Sequence, residues 1–160
     1  MSAFTRRDQN AIRRLSWDIA SISTYLEELR HFWAKTIGIT GAQWRIILIL
    51  AEIDEGMGVP VNAVSKLLQV DSSFVTTQSK LLEKNGLMCR KASREDGRIV
   101  NLSLTDRTWA HLASLGSRQD ALNEFIFAEF ASRELEELTN RIGLLKRRFE
   151  KACLKVTIDA

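Results

Sequence analysis

From Ile12 the apolar positions fall at Leu15, Ile19, Ile22, Leu26, Leu29 and Trp33, alternating steps of three and four, as a helix with a sustained heptad seam requires. The C-terminal end repeats the device with Leu135, Leu138, Ile142, Leu145, Phe149 and Ala152, while Arg133, Glu134, Glu136, Glu137, Lys146, Arg147, Arg148 and Glu150 fill the other faces. Both ends are predicted to be long amphipathic helices. A seam alone does not say what covers it: packing of the two helices on each other within one chain and pairing between two chains both satisfy the pattern.

Between these ends, Thr40-Gly41-Ala42-Gln43 has the form of a capping box, so a helix is expected to start there. It carries Trp44 and the run Ile46 to Ala51, apolar nearly all round, which suits a buried central helix ending before Gly56-Met57-Gly58. Pro60 fits a first helical position, with Val61, Val64, Leu67 and Leu68 as the stripe of a short helix. After Gln69-Val70-Asp71, Asp71 or Ser72 can cap a further helix whose packed side is Phe74, Val75, Leu81 and Leu82, closed by Gly86 as a left-handed cap. Short helix, tight turn and longer helix together predict a helix-turn-helix. Beyond Gly86 the period changes to that of strands: Leu87 to Ala92 and Ile99 to Leu104, joined by the polar turn Ser93 to Arg98, predict a hairpin. Thr105 or Asp106 then caps a helix carrying Trp109, Leu112, Leu115, Leu122, Phe125 and Ile126, with a bend expected near Gly116.

Composition narrows the class. A chain of 160 residues, 45% hydrophobic and 27% charged, has about one domain's length and material for one core; with 1 Pro and 8 Gly it lacks the breakers of an all-β fold. The longest apolar run, Ile46 to Ala51, is far short of a membrane span, and Met1-Ser2-Ala3-Phe4 leads into no signal-type segment, so a cytoplasmic protein is expected, without a membrane partner. Cys89 and Cys153 stand far apart with no Cys-x-x-Cys pair, which excludes a disulfide scaffold or zinc ribbon. The formal net charge of +3 is only mildly basic, so any affinity for nucleic acid must come from local concentration of charge.

That concentration is visible in the sequence. A helix-turn-helix followed by a basic hairpin is a winged helix, whose second helix fits a major groove of duplex DNA while the hairpin reaches phosphates or the minor groove beside it. On the second helix Ser72, Ser73, Thr76, Thr77, Gln78 and Lys80 are short or polar, suited to base edges and phosphates. On the hairpin Arg90, Lys91, Arg94 and Arg98 outnumber Glu95 and Asp96.

The order Gly38-Ile39-Thr40-x-x-Gln43-Trp44, then Val75-Thr76 and Leu82-Glu83-x-x-Gly86-Leu87, then Asp96-Gly97-Arg98 followed by Leu104-Thr105, resembles the MarR family of bacterial winged-helix regulators over roughly residues 10 to 150. The resemblance implies a mainly α fold with a small β-hairpin wing: a winged helix-turn-helix region over about 38–105, and dimerisation helices over about 10–36 and 106–153, in a single domain covering 1–160. It implies a homodimer that sets one recognition helix of each subunit in successive major grooves of a pseudo-palindromic operator, with Arg98 contacting DNA and Asp96 orienting it. Three positions depart from the family pattern: Thr77 stands where an Arg is frequent, Gln69 where the turn often has Gly, and no Gly follows Leu104-Thr105.

Such regulators respond to small effectors, many of them aromatic acids or phenols, bound between the dimerisation helices and the winged helix. Arg13, Trp17, Ser21, Thr24, Glu28 and His31 follow helical spacing beside the first seam, and Trp44, Arg45 and Trp109 add an aromatic and cationic set suited to an aromatic carboxylate. The expected function is a homodimeric transcriptional repressor, released by such an effector. Competing readings are a winged helix used only for protein interaction, which should show large apolar anchors on the exposed helix face, and a thiol-based redox sensor using Cys89 or Cys153. Enzyme chemistry is not expected: the only histidines are His31 and His111, and no catalytic residue set, phosphate loop, metal spacing or cofactor motif is present.

Overall fold

A computed structural model describes residues 5–159; the stretch Met1 to Phe4, read above as leading into no signal segment, lies outside them. Internal contacts divide the chain between Ala113 and Ser114. The first unit holds α1 (Arg6–Thr36), α2 (Gly41–Ile53), β1 (Val59–Pro60), α3 (Val61–Leu68), α4 (Ser72–Lys84), β2 (Met88–Ala92), β3 (Val100–Leu104) and the start of α5 (Asp106–Phe127). The second holds the rest of α5 and α6 (Ser132–Asp159). Among the described residues no single helix is long and apolar enough to cross a membrane.

Two capping boxes start the first two helices. Thr5 and Asp8 close one at the head of α1, where the Thr5 hydroxyl and backbone N–H donate to the Asp8 carboxylate and hold its pKa below the ordinary 3.8. At α2 the Gln43 N–H donates to Thr40 Oγ1 at 3.2 Å and the Thr40 N–H to Gln43 Oε1 at 3.0 Å. From α2, Ile46, Ile47 and Leu50 enter the core with no exposure, joined by Val64 and Leu68 of α3, Val75 and Leu82 of α4, and Met88, Leu102 and Leu104 of the sheet. This buried cluster is what sets α4 and the hairpin on one scaffold.

Several expectations are corrected. Pro60 is the N-cap of α3, not its first residue, and ends a short strand that alternation could not signal, β1, paired antiparallel with β3 through Val59↔Leu102. Lacking an N–H, proline suits the end of an edge strand, and the helix begins one residue later. Leu67 is 57%, Phe74 39% and Leu81 45% exposed. On α4 the buried line is Val75, Ser79 and Leu82, in steps of four and three. Phe74 and Leu81 each precede a residue of that line and so lie about 100° round the helix. Leu67 stands likewise one position before the buried Leu68.

The turn between α3 and α4 is held by the Val70 N–H on the Ser65 carbonyl at 3.1 Å, with Gln69 in the left-handed region at φ +55°. Ser65 and Ser72 share a hydroxyl contact of 3.0 Å across it. The wing is the antiparallel pair β2 and β3, in register from Met88↔Leu104 to Ala92↔Val100. Thr105 Oγ1 accepts the Thr108 N–H, and its own hydroxyl donates to the Gly86 carbonyl at 2.9 Å, while Thr108 donates to the Leu87 carbonyl at 2.6 Å. The start of α5 is thereby tied to the root of the wing.

In the second unit α5 continues as helix past Gly116 to Phe127, and residues 128–131 separate it from α6. There the Leu135 N–H takes the Ala131 carbonyl and Glu134 reaches back to the Ala131 N–H, starting α6.

Candidate nucleic-acid interface

With Val75, Ser79 and Leu82 turned into the core, the opposite face of α4 is Ser73, Thr77, Lys80 and Lys84, all exposed. Lys84 belongs to this face although its place near the helix end gives it no motif. Thr76 and Gln78 are half-buried on the two flanks, and Ser72, exposed, is engaged with Ser65. The Thr77 hydroxyl donates to the Ser73 carbonyl at 3.0 Å, leaving its lone pairs and methyl outward.

On the wing the structure separates the cations. Lys91, Arg94 and Arg98 are exposed. Arg90, expected beside them, has only 11% of its side chain exposed and is turned beneath the sheet onto α4. The cause is strand alternation: Arg90 pairs with Leu102 and so shares the inward face, whereas Lys91 pairs with Asn101 on the outward one. Among the described residues none of Lys80, Lys84, Lys91, Arg94 and Arg98 takes part in an ion pair. Cations left unpaired in this way are free to meet an external anion.

Asp96 shapes the wing tip through the backbone. Its Oδ1 accepts the Arg98 N–H at 2.9 Å, and its carbonyl accepts the Ile99 N–H at 2.9 Å. It thus fixes where Arg98 leaves the turn, while the guanidinium itself is unpaired.

Most of the effector candidates lie on the surface. Arg13, Trp17, Ser21 and Thr24 are exposed along α1, Trp17 by 75%. His31 lies against the first residue of α2, with ring atoms 3.1 Å from where a Gly41 Cβ would stand, and its Nδ1 is 2.8 Å from the Glu27 carbonyl. Arg45 is half-buried and Trp109 is 44% exposed. Trp44 is corrected: at 1% exposure, at the head of the buried central helix, it is core and offers a ligand no face. A cavity of about 640 Å³ does exist, between the Gly56-Met57-Gly58 loop and the outward face of the wing, but none of the effector candidates lines it.

Cys89 is half-buried in β2 and Cys153 exposed on α6, both as free thiols. Among the described residues no group of three or more His, Cys, Asp or Glu side chains could hold a metal ion.

Residues 39–100 match the model of the MarR family. Two proteins of Bacillus subtilis (strain 168) are similar in sequence. The uncharacterized HTH-type transcriptional regulator YdgJ is 26% identical over 109 residues, which cover 68% of this chain and 65% of that protein. The HTH-type transcriptional repressor MdtR is 32% identical over 69 residues, 43% of each chain. The matches thus span less than two thirds of either relative. Among solved structures, the S. aureus MepR-DNA complex has a similar fold, with a TM-score of 0.70 at 20% identity over 83% of this chain and 96% of that one.

Proposed function

The chain carries a MarR-family winged-helix domain over residues 39–100, and on that premise we propose that it is a DNA-binding transcriptional regulator that acts as a homodimer in the cytoplasm. The observation that carries this reading is the set of unpaired cations, Lys80 and Lys84 on α4 with Lys91, Arg94 and Arg98 on the wing, beside a helix face of hydroxyls. Ser73 and Thr77 face base edges in the major groove, with Thr76 and Gln78 at its margins, while Arg94 and Arg98 enter the adjacent minor groove or its phosphates. Residues of about 10–36 and 106–153 supply the dimer interface, so that two α4 helices meet a pseudo-palindromic duplex. The MdtR and MepR likenesses support repression and duplex DNA as the partner.

Binding selection from the fragmented genome of the source organism tests the reading. Recovery of a common pseudo-palindromic sequence is the expected result, and absence of any enriched duplex contradicts it.

Release by an aromatic acid or phenol is the second part of the proposal, supported by the exposed aromatic and cationic stripe of α1 together with Arg45 and Trp109. Titration with benzoates and hydroxycinnamates should quench tryptophan emission through Trp17 or Trp109 and weaken operator binding. A tenfold loss requires about 1.4 kcal/mol of coupling, and operator DNA must weaken ligand binding by the same factor.

One observation favours a different class: the half-exposed Phe74 and Leu81 give α4 an apolar flank of the kind a protein-docking face would use. Replacing both with Ser should leave affinity for the selected duplex within a few fold if α4 reads DNA through its polar face.

A further inference from the structure

Arg90 belongs to the wing by sequence and to α4 by contact. Its Nη1 donates to Ser79 Oγ and, at 3.5 Å, to the Thr76 carbonyl; its Nε lies 3.7 Å from Glu83 Oε2. The backbone N–H of the same residue donates to Glu83 Oε1 at 3.1 Å. Ser79, with no exposure, in turn donates to the Thr76 carbonyl at 3.1 Å. One residue of β2 thus grips α4 over the two turns from Thr76 to Glu83, from the side opposite the face proposed to read DNA.

We propose that Arg90 and Glu83 are positioning residues: a clamp that fixes the angle between wing and α4, so that the two engage DNA as one rigid unit. The inference rests on the DNA-binding reading above. Beyond the short β1, which pairs only Leu102 and Asn101 of β3, the wing is a two-stranded hairpin with little stiffness of its own. Here Arg90, with 11% of its side chain exposed, makes charge-assisted hydrogen bonds to Ser79 and Thr76 that are less screened than contacts at the exposed tip, while Glu83, 45% exposed, closes the clamp from the solvent side. The tie reaches the backbone at Thr76 and so acts on the helix itself, not on one side chain. Electrostatics makes Glu83 the informative partner. A carboxylate on a helix that approaches phosphates opposes binding, so by charge alone its removal strengthens the complex. The clamp predicts the reverse.

The test uses the full chain and the duplex recovered by genomic selection. Affinity is measured for the wild type, Glu83→Gln, Arg90→Lys and Arg98→Ala, and for Arg98→Ala combined with Glu83→Gln. Glu83→Gln is expected to bind about tenfold more weakly despite its lost negative charge, with unchanged helical circular dichroism. Arg98→Ala is expected to cost about tenfold in the wild type but under about threefold in the Glu83→Gln background, because a wing released from α4 no longer delivers Arg98 to its place. Arg90→Lys, which keeps the charge and loses the fork, should behave as Glu83→Gln does. Equal or tighter binding by Glu83→Gln, or an Arg98→Ala penalty that is the same in both backgrounds, overturns the clamp while leaving the DNA-binding reading intact. Failure of the wild type to bind any selected duplex overturns both.

Discussion

At Gly58 the backbone φ is +76°, and a Cβ would stand 3.1 Å from Asn101 Cβ and 3.3 Å from the Leu102 carbonyl oxygen, so glycine is required both by conformation and by space. Asp54 Oδ1 holds this loop by accepting the Gly56 and Gly58 N–H groups, both at 2.9 Å. Gly58→Ala should therefore lower unfolding free energy by about 1 to 3 kcal/mol in urea titration, by prising β1 from β3. Gln69 presents the opposite case. It is the only described non-glycine residue with positive φ, at the turn position where resemblance to the family leads one to expect Gly. Gln69→Gly should raise stability by up to about 1 kcal/mol in the same titration, since left-handed backbone costs a side-chain-bearing residue about that much. Base-facing and phosphate-facing residues separate likewise. Thr77→Ala should relax base preference at one operator position, whereas Lys80→Ala or Lys91→Ala should weaken binding to all sequences about equally.

Among the elements, those with a long period or a cap were legible in the sequence. Thr40 and Gln43 announce α2, the three-four alternation announces α1 and α6, and the change of period after Gly86 announces the wing. Three features were not legible, each for a physical reason. The strand β1 has two residues, too few to show alternation, and exists because β3 offers it an edge. The packed side of α4 could not be told from composition, because Phe74 and Leu81 are as apolar as the residues that win the core, and Ser79 is buried among them. Arg90 reads as one more wing cation until strand register turns it inward, although its place two residues after the buried Met88 was the available signal. The exposure of the polar face of α4 and of Lys91, Arg94 and Arg98 on the wing was within reach because polar residues crowd the first half of one helix and the tip of the hairpin. The burial of Trp44 was not, since a tryptophan among apolar helix neighbours reads equally as core or as pocket wall.

At the scale of the whole molecule, the seam positions of α1 stay open in the single chain: Ile12, Leu15, Ile19, Ile22 and Leu26 are 39 to 58% exposed. On α6, Ile142 and Phe149 are 55% and 54% exposed. Apolar rows of this length call for a partner surface, and a second copy of the chain is the proposed one. Sedimentation should report a two-subunit mass at micromolar concentration, and Ile142→Glu, at a position already half exposed, should shift it to one subunit without unfolding the chain. A wild-type monomer under those conditions contradicts the dimer. The central claim, that α4 and the wing bind duplex DNA through their unpaired cations, is tested most directly by the affinity for the selected duplex measured across a series of salt concentrations. The account predicts a steep linear fall of log affinity with log salt, whose slope shrinks by about 0.9 for every phosphate contact removed by Lys80→Ala, Lys91→Ala or Arg94→Ala. A flat dependence, or a slope that these substitutions leave unchanged, would contradict it.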